Sequence, residues 1–325
     1  MKATAIAPAN VGLIKYWGRK NEELKLPENG SISVNLSNLK TTTTVEFCEE
    51  QRADDVIING VRVADESSRV IKHVDRIRKL AKINTRVKVI SQNNFPSSTG
   101  LSSSSSGFAA LTVATVKAAS LDLSQKELSI LARLASGSAC RSIPDGFVEW
   151  LPGAANETSY SKSLFAPDYW KISDVIAIVS DGAKEVSSTE GQKLVGTSPF
   201  YPTRLSHISE KIKLIKKFIK EKNFTSFGEL IETEALELHA IMLTSNPSLI
   251  YWTPGTLKIM KVVKKWRLEG LQVYFTINTG QNIHLFCELE NEKRLVSELK
   301  KISDVKDIII NYPSIGARLS DKHLF

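Results

Sequence analysis

A run of small polar residues, 93–107, constrains the fold most, because it joins a predicted strand to a predicted helix. The run reads NNFPSSTGLSSSSSG. Residues 86–90 alternate in polarity, which predicts a strand, and residues 108–119 are rich in Ala, which favours a helix. Such a loop offers backbone N–H groups at a helix N-terminus, where partial positive charge suits a polyphosphate. It lacks the Gly-Lys-Ser/Thr ending of a Walker A loop. A flexible Ser-rich linker is the alternative interpretation.

Two further segments place isolated cations among aromatic or small residues. Residues 7–20, APANVGLIKYWGRK, put Lys15, Arg19 and Lys20 beside two aromatic rings. Lys and Arg are natural partners of phosphate, although a strand end with solvated cations would have the same sequence. Residues 135–142, ASGSACRS, combine small residues, which permit close approach of a ligand, with one Arg suited to a carboxylate or phosphate. A tight helix contact with an exposed Arg is the alternative there.

The order of these segments resembles that of the mevalonate diphosphate decarboxylases and phosphomevalonate decarboxylases of the GHMP kinase superfamily. The matching stretches are residues 7–19, 26–34, 93–111, 136–142, 186–191 and 274–280. The resemblance implies an α+β fold with two domains, GHMP-kinase-like, and with ATP and substrate in the cleft between them. An N-terminal ATP-binding domain would cover residues 1–183 and a C-terminal α+β domain residues 184–325.

The resemblance also implies a reaction. ATP phosphorylates the 3-hydroxyl of mevalonate 5-diphosphate or mevalonate 5-phosphate, the new phosphate leaves, and the C1 carboxylate departs as carbon dioxide. The product is an isopentenyl compound of the mevalonate pathway of isoprenoid biosynthesis, and the implied cofactors are ATP and Mg²⁺. Positioning and electrostatic stabilisation carry most of such phosphoryl transfer.

Roles for individual residues follow from the same resemblance. Lys15 matches a lysine beside the reacting hydroxyl, and Ser104 matches a hydroxyl that orients ATP phosphates and Mg²⁺, so both are predicted to be catalytic together with position 278. The substrate-binding residues implied are Tyr16, Arg19, Arg69, Ser136, Ser138, Arg141 and Ser187. The ATP-binding residues implied are Asn94, Gly100, Ser102, Ser103, Ser104 and Ser105. Arg19 stands where the family usually has Lys, which keeps the charge and changes the geometry.

Position 278 departs from the family, which has Asp in the segment matching residues 274–280, whereas this chain has Asn278. A neutral amide cannot accept the hydroxyl proton, and loss of a positioned base typically costs about 10²–10⁴-fold in rate. Three explanations are open: an engineered substitution, a natural variant that uses another carboxylate such as Asp145, or a kinase that phosphorylates the 3-hydroxyl and stops. A non-catalytic nucleotide-binding regulator is a further alternative. The residue types at Lys15, Ser104 and Arg141 argue against it, because a regulator needs only the ATP half.

The net charge indicates an acidic partner, and a polyanionic small molecule satisfies this argument as well as nucleic acid does. The 325 residues carry 43 Lys and Arg against 35 Asp and Glu, a net charge of +8. The basic residues are spread over predicted helices and not gathered into one tail, so nucleic acid is not the expected partner. Three Cys and five His show no disulfide or metal-ligand spacing. Without a signal-peptide pattern or a long apolar run, the cytoplasm is the expected compartment and a membrane is not expected. A homodimer is left open.

Hydrophobic periodicity predicts the remaining elements. Strands are expected at residues 3–7, 31–36, 41–47 and 56–63, and the last two flank an acidic turn that favours a hairpin. A helix capped by Ser67 or Ser68 follows. A further helix at 124–135 again starts with a Ser, Ser124. The other elements are a buried strand at 175–179, helices at 206–221, 226–243 and 256–269, strands at 273–277 and 283–288, a helix at 290–302 and a strand at 307–311.

Overall fold

Two large β-sheets with helices packed on them organise the chain, and residues 19–21 and 26–27 form a separate two-stranded sheet. The structure is a computed structural model and describes residues 1–63, 68–96, 100–182 and 184–325. The strands are β1 (Lys2–Ile14), β2 (Arg19–Asn21), β3 (Leu26–Pro27), β4 (Ser31–Cys48), β5 (Asp55–Ile58), β6 (Val61–Arg62), β7 (Arg86–Asn93), β8 (Phe147–Trp150), β9 (Ser161–Phe165), β10 (Ile172–Ile178), β11 (Tyr274–Thr276), β12 (Ile283–Glu288), β13 (Asp307–Asn311) and β14 (Arg318–Ser320). The α-helices are α1 (Arg69–Ala81), α2 (Ser103–Ala118), α3 (Gln125–Ala135), α4 (Ser188–Lys193), α5 (Tyr201–Glu221), α6 (Phe224–Leu243), α7 (Pro254–Leu268) and α8 (Leu289–Leu299).

The first sheet has eight strands, in the order β14-β1-β4-β7-β5-β6, with β8 and β9 attached through β4. Strand β4 is 18 residues long and covers both predicted strands, 31–36 and 41–47. The predicted hairpin between residues 41–47 and 56–63 is wrong. Strand β7 takes the place beside β4, with Val45 opposite Val89, and β5 pairs in parallel with β7. The longer alternating strand offers eight register pairs to β4, and the four residues of β5 cannot match them.

Helix α2 packs closely on the first sheet because its buried face is rich in small residues, namely Ala, Ser and Thr. Ala109, Ala110 and Ala114 are fully buried, in one cluster with the inward residues of β1 and β7. The helix begins at Ser103, five residues before the predicted start, so the serine run forms its first turn. The predicted caps of the two neighbouring helices are confirmed. Ser68 accepts a hydrogen bond from the backbone of α1, and Ser124 forms a capping box with α3.

The second sheet has four strands in the order β11-β12-β10-β13. The continuous apolar run that predicts a buried strand becomes β10, which is buried at every position. Helices α7 and α8 cover this sheet through Val263, Trp266 and Leu295. No described helix combines the length and the hydropathy that a membrane span requires.

One hydrophobic cluster connects the two sheets. It contains Val11 and Leu13 of β1, Ile176 of β10, Ile215 of α5 and Phe227 of α6. The change from the first sheet to the second falls between β9 and β10, before the predicted boundary at residue 183, and β14 returns to the first sheet at the end of the chain. The domain boundary stays a prediction. The hydrophobic cluster packs the two sheets against each other.

Candidate active site

A cavity of about 290 Å³ lies where β1, the start of α2, the 3₁₀ segment Gly137–Ser142 and the loop after β11 meet. It brings together most of the predicted site residues. Those that line it are Lys15, Tyr16, Arg19, Arg69, Gly100, Ser102, Ser103, Ser104, Ser136, Ser138, Arg141, Ser187 and Asn278. Residues 97–99 of the serine loop and Ser67, the alternative cap, lie outside the described residues.

The serine loop reaches the cavity through a tight backbone turn. Gly100 has a φ of +90°, and a Cβ there would lie 2.7 Å from the Cα of Gly280 in the opposite loop, so only glycine fits. Ser102 is the N-cap of α2 in the left-handed region, with a φ of 60°. Its side chain makes no capping hydrogen bond. Ser103 and Ser104 follow in the first turn of α2, where unpaired N–H groups suit an anion.

Two of the predicted ATP-binding residues are not brought to the cavity. Ser105 is fully buried, and its hydroxyl donates to the carbonyl of Ser102 at 2.6 Å. Asn94 is exposed beside β4, where its amide donates to Asn38 O at 2.9 Å and its Oδ1 accepts from Lys40 N at 2.7 Å. Because the serine run is helical, its residues point in different directions, and only part of it faces the cleft.

Lys15 follows the end of β1 and is almost completely buried. Its Nζ donates to the carbonyl of Gly12 at 2.6 Å and to Oδ1 of Asn278 at 3.2 Å. Burial lowers the pKa of Lys15 to about 7, and the charge of Glu234 opposes this effect only in part. Lys15 is therefore a lysine that can lose its proton near neutral pH.

Asn278 is held by hydrogen bonds on both sides of its amide. Its Oδ1 accepts from Gly12 N at 3.3 Å and from Lys15, and its Nδ2 donates to Ser102 Oγ at 3.3 Å. Its backbone carbonyl lies 3.0 Å from Nε2 of the buried His239. Burial lowers the pKa of His239 to about 3, so the ring is neutral and Nε2 is the donor. These contacts fix Asn278 between Lys15 and the serine loop.

Arg141 is a buried cation with neutral partners. Its Nε and Nη2 donate to Oδ1 of Asn10 at 3.2 and 3.1 Å, and its Nη1 donates to Ser31 Oγ at 3.0 Å. Burial lowers the pKa of Arg141, but guanidinium stays charged at neutral pH. The described structure gives it no carboxylate partner, so an anion in the cavity would complete its environment. Ser136 precedes the same 3₁₀ segment, Ser138 lies within it, and both line the cavity.

Two further cations, Arg19 of β2 and Arg69 of α1, line the same cavity. Arg19 donates to Tyr16 Oη at 2.7 Å and pairs with Glu22 at 2.6 Å. Arg69, the first residue of α1, donates to Ala135 O at 2.8 Å and lies over the ring of Phe108. Both guanidinium groups are thereby oriented, and both line the cavity.

Lys184 is a cavity cation that the sequence analysis missed. Its Nζ donates to Ser188 Oγ at 2.8 Å and to the carbonyl of Thr279 at 3.0 Å, and burial lowers its pKa to about 8. Ser187 caps α4, with its side chain accepting from Glu190 N at 3.2 Å. The sequence signal for Lys184 is its position just before residues 186–191, one of the stretches that carry the family resemblance.

A buried ion network, which was not predicted from the sequence, holds the backbone of Lys15. Glu234 of α6 is fully buried and accepts from Lys15 N at 3.0 Å. It is paired with Arg204 of α5 and, at 3.1 Å, with Lys211. Arg204 in turn donates to Lys15 O at 3.0 Å. A charged residue on the apolar face of a helix was the only sequence signal for this network.

Asp145, the carboxylate considered as an alternative base, lies elsewhere. It accepts from Gly316 N at 2.7 Å and pairs with Arg318 on β14. The structure therefore contradicts its candidacy and makes it a link between the C-terminal strand and the turn before β8.

The charge of the cavity is entirely positive. Five cations line it, namely Lys15, Arg19, Arg69, Arg141 and Lys184, and none of its described lining residues is Asp or Glu. A second cavity of about 190 Å³ adjoins it at Ser103 and Ser104 and is mostly apolar. Its apolar wall consists of Ile58, Val70, Val89, Phe108 and Leu111. The arrangement suits a nucleotide with its base in the apolar cavity and its phosphates at the N-terminus of α2.

Two sheets around a cation-lined cleft, with a serine loop at the start of α2, define a two-domain GHMP-kinase-like protein. The Diphosphomevalonate decarboxylase-like N-terminal domain family matches residues 7–161, and the Mevalonate 5-diphosphate decarboxylase C-terminal domain family matches residues 174–319. The diphosphomevalonate decarboxylase of Candida albicans is 35% identical, over 92% of this chain and 88% of that protein. The chain belongs to the diphosphomevalonate decarboxylase family.

Other relatives agree with this assignment. The phosphomevalonate decarboxylase of Haloferax volcanii is 33% identical, over 91% of each chain. The solved mevalonate diphosphate decarboxylase of Enterococcus faecalis is 35% identical and covers 99% of each chain with a TM-score of 0.92. A structure described as MDDEF in complex with MVAPP, AMPPCP and magnesium is 36% identical, with a TM-score of 0.93 over 99% of each chain. The predicted family, fold class, ATP-dependent decarboxylase activity and use of ATP and Mg²⁺ are confirmed by these comparisons.

Proposed function

We propose that this chain converts a 5-phosphorylated mevalonate into an isopentenyl product, with ATP as the phosphoryl donor and carbon dioxide as the second product. The observation that carries the proposal is the set of five cations in one cavity without a described carboxylate on its wall. Arg19 pairs with Glu22, but the described residues give the other four cations no carboxylate within ion-pair distance. Burial of such cations is costly, and two polyanions bound side by side would neutralise them.

The nucleotide side of the cleft is the start of α2. The apolar cavity beside Phe108 would take the base, and the N–H groups of the first turn with the hydroxyls of Ser103 and Ser104 would take the phosphates. Ser104 has a hydroxyl that lines both cavities and would hold Mg²⁺ together with the ATP phosphates. The metal ion, when bound, neutralises charge that develops on the phosphates.

The substrate side would be the part of the cavity that Arg141, Arg19 and Arg69 line. Arg141, with Ser136 and Ser138, is proposed to bind the carboxylate, because a guanidinium fork matches a carboxylate in geometry. Tyr16, Arg19, Arg69 and Ser187 are proposed to bind the 5-phosphate or 5-diphosphate. This arrangement would leave the tertiary hydroxyl near Lys15 and Asn278, where the two loops meet.

The proposed reaction then has two stages. The 3-hydroxyl oxygen attacks the terminal phosphorus of ATP, and the bond to ADP breaks. The bond between C3 and the new phosphate breaks next, and the electron pair of the bond between C1 and C2 forms the double bond as carbon dioxide leaves. Lys15 and Lys184 would stabilise the charge on the transferred phosphate, while Arg141 would hold the carboxylate until it departs.

The substrate could carry either a 5-phosphate or a 5-diphosphate. Curated relatives at similar identity are named diphosphomevalonate decarboxylase in one case and phosphomevalonate decarboxylase in the other. The two cations Arg19 and Arg69 suit either group. We therefore propose both substrates for the test.

The experiment measures ADP and carbon dioxide release in parallel, with ATP, Mg²⁺ and each phosphorylated mevalonate. Equal amounts of both products support the proposal. ADP alone would support the alternative suggested by Asn278, a kinase that stops after phosphorylation. Release of neither product would contradict an enzymatic role.

A cytoplasmic location and a homodimer also stay proposals. Light scattering after size-exclusion chromatography would show the oligomeric state directly. Fractionation of cells that express the chain would show its location.

A further inference from the structure

We propose that the amine of Lys15 is the base that accepts the proton of the 3-hydroxyl, in the place that a carboxylate would hold at position 278. This inference rests on the proposed function, because it concerns the phosphorylation step of that reaction. In this proposal Asn278 orients the neutral amine of Lys15.

The hydrogen bonds of Lys15 fit a neutral amine. A neutral amine has two N–H groups and one lone pair, and the two carbonyl oxygens, Gly12 O at 2.6 Å and Asn278 Oδ1 at 3.2 Å, can take both N–H groups. The lone pair is then left for a third partner, and Lys15 lines the cavity in which the hydroxyl would lie. Both protein partners are uncharged, so neither holds the ammonium form in place.

The orientation of the Asn278 amide is determined by its neighbours. Its Oδ1 faces two donors, Gly12 N and Lys15 Nζ, and its Nδ2 faces Ser102 Oγ. Rotation of the amide by 180° would turn Nδ2 toward both donors and lose these bonds. Asn278 therefore presents an oxygen to Lys15 as an Asp would, but it cannot take a proton.

The carboxylates near Lys15 are paired with other side chains. Of the two described carboxylates that act on it, Glu234 on α6 is paired with Arg204 and Lys211, and Asp174 on β10 lies 2.9 Å from His284 Nδ1 on β12. On the other sides, Arg204 on α5 and Arg141 in the 3₁₀ segment repel a positive charge. Burial together with this repulsion accounts for the pKa of about 7.

The step balances without a further reactant. The hydroxyl proton moves to Lys15 Nζ as the oxygen forms its bond to the terminal phosphorus of ATP, and the electron pair of the broken bond leaves with ADP. Lys15 is then an ammonium ion beside the new phosphate. It can stabilise that phosphate as a leaving group before it returns its proton to solvent.

The first test is the pH dependence of kcat for the wild-type protein, from about pH 6 to about pH 9. We expect kcat to rise with pH, because only the free amine accepts a proton. Bound polyanions favour the ammonium form, so the midpoint should lie at or above the Lys15 pKa of about 7. In Asn278→Asp the new carboxylate stays ionised beside Lys15, and kcat should be nearly constant over the same range. Its gain over wild type should be largest at the acid end.

The second test combines substitutions at the two positions. Arginine keeps the positive charge but cannot act as a base. Lys15→Arg should therefore lower kcat by about 10²-fold or more in the wild-type background. The same substitution in the Asn278→Asp background should cost no more than about 10-fold, because the carboxylate then accepts the proton. Lys25→Arg is the matched control, since Lys25 also has a lowered pKa, of about 8, but does not line the cavity. It should leave the pH profile unchanged.

Several outcomes would overturn the inference. A wild-type kcat that is independent of pH, or an equal loss from Lys15→Arg in both backgrounds, would show that Lys15 acts only through its charge. A profile that moves with Lys25→Arg would assign the titration to another lysine. A wild-type protein that releases neither ADP nor carbon dioxide at any pH would refute the proposed function itself, and this inference with it.

Discussion

Glu234→Gln should strongly destabilise the protein, because Glu234 is the common partner of three buried donors. Its side chain is fully buried, it is paired with Arg204 and Lys211, and it accepts the backbone N–H of Lys15 at 3.0 Å. The Arg204 side chain is only 1% exposed, so it has no access to water when its partner loses charge. Removal of one member of a buried ion pair typically costs about 3–5 kcal/mol.

Glu237→Gln provides a matched control on the same helix. Glu237 also pairs with Lys211, but its side chain is 33% exposed. The chemical change and the helix are identical, while solvent screens this pair. We expect a cost below about 1 kcal/mol. The difference in unfolding free energy between the two variants therefore measures the effect of burying the charge.

The assay is equilibrium unfolding in urea, followed by tryptophan fluorescence. Activity at several pH values gives a second measurement. The negative charge of Glu234 raises the pKa of Lys15, so Glu234→Gln should lower that pKa further and move the rise of kcat/KM to lower pH. Equal unfolding free energies for Glu234→Gln and Glu237→Gln would refute the reasoning, as would a Glu234→Gln cost below about 1 kcal/mol.

Three further predictions follow from individual contacts. Arg141→Ala should raise the KM of the mevalonate substrate strongly with little change in ATP affinity, since the fork serves one ligand; equal weakening of both in steady-state kinetics would contradict the assignment. Ser104→Ala should reduce kcat more than nucleotide affinity measured by calorimetry, because several backbone N–H groups remain for binding; normal turnover would reduce Ser104 to a residue of the helix start. Ser124→Ala removes the capping box of α3 and should lower the unfolding free energy by about 1 kcal/mol, with kcat unchanged. An unaltered urea midpoint would show that this cap is dispensable.

Much of the local structure was predictable because it depends on short-range chemistry. The Ala-rich helix, the caps at Ser68 and Ser124 and the strand 307–311 all follow from periodicity and from side chains that satisfy nearby backbone groups. The site segments were also recognisable, because Lys15, Arg141 and the serine run lie in short motifs. The structure brings residues of all three motifs together in one cavity.

Strand pairing was not predictable in the same way. The residues 41–47 and 56–63 are neighbours in sequence and both favour strands, yet β7 inserts between them. A register depends on which strand offers the longer matching face, and that strand can come from anywhere in the chain. The positions of Ser105 and Asn94 were equally unpredictable from the sequence. Helix α2 starts five residues before the predicted start, so Ser105 lies in its first turn and points inward. Asn94 is hydrogen-bonded to Lys40 of β4 and therefore lies away from the cavity.

By itself the sequence indicated the family, because the motifs that carry the resemblance are contiguous, and the resemblance in turn implied the fold class and the site segments. Only the tertiary structure decided the electrostatics of the site. Glu234 and Lys184 join the surroundings of Lys15 and Asn278 from distant segments, and Asp145 leaves the site to pair with Arg318. The physical reason is that desolvation and Coulomb energies depend on distance and burial in space, which separation along the chain does not specify.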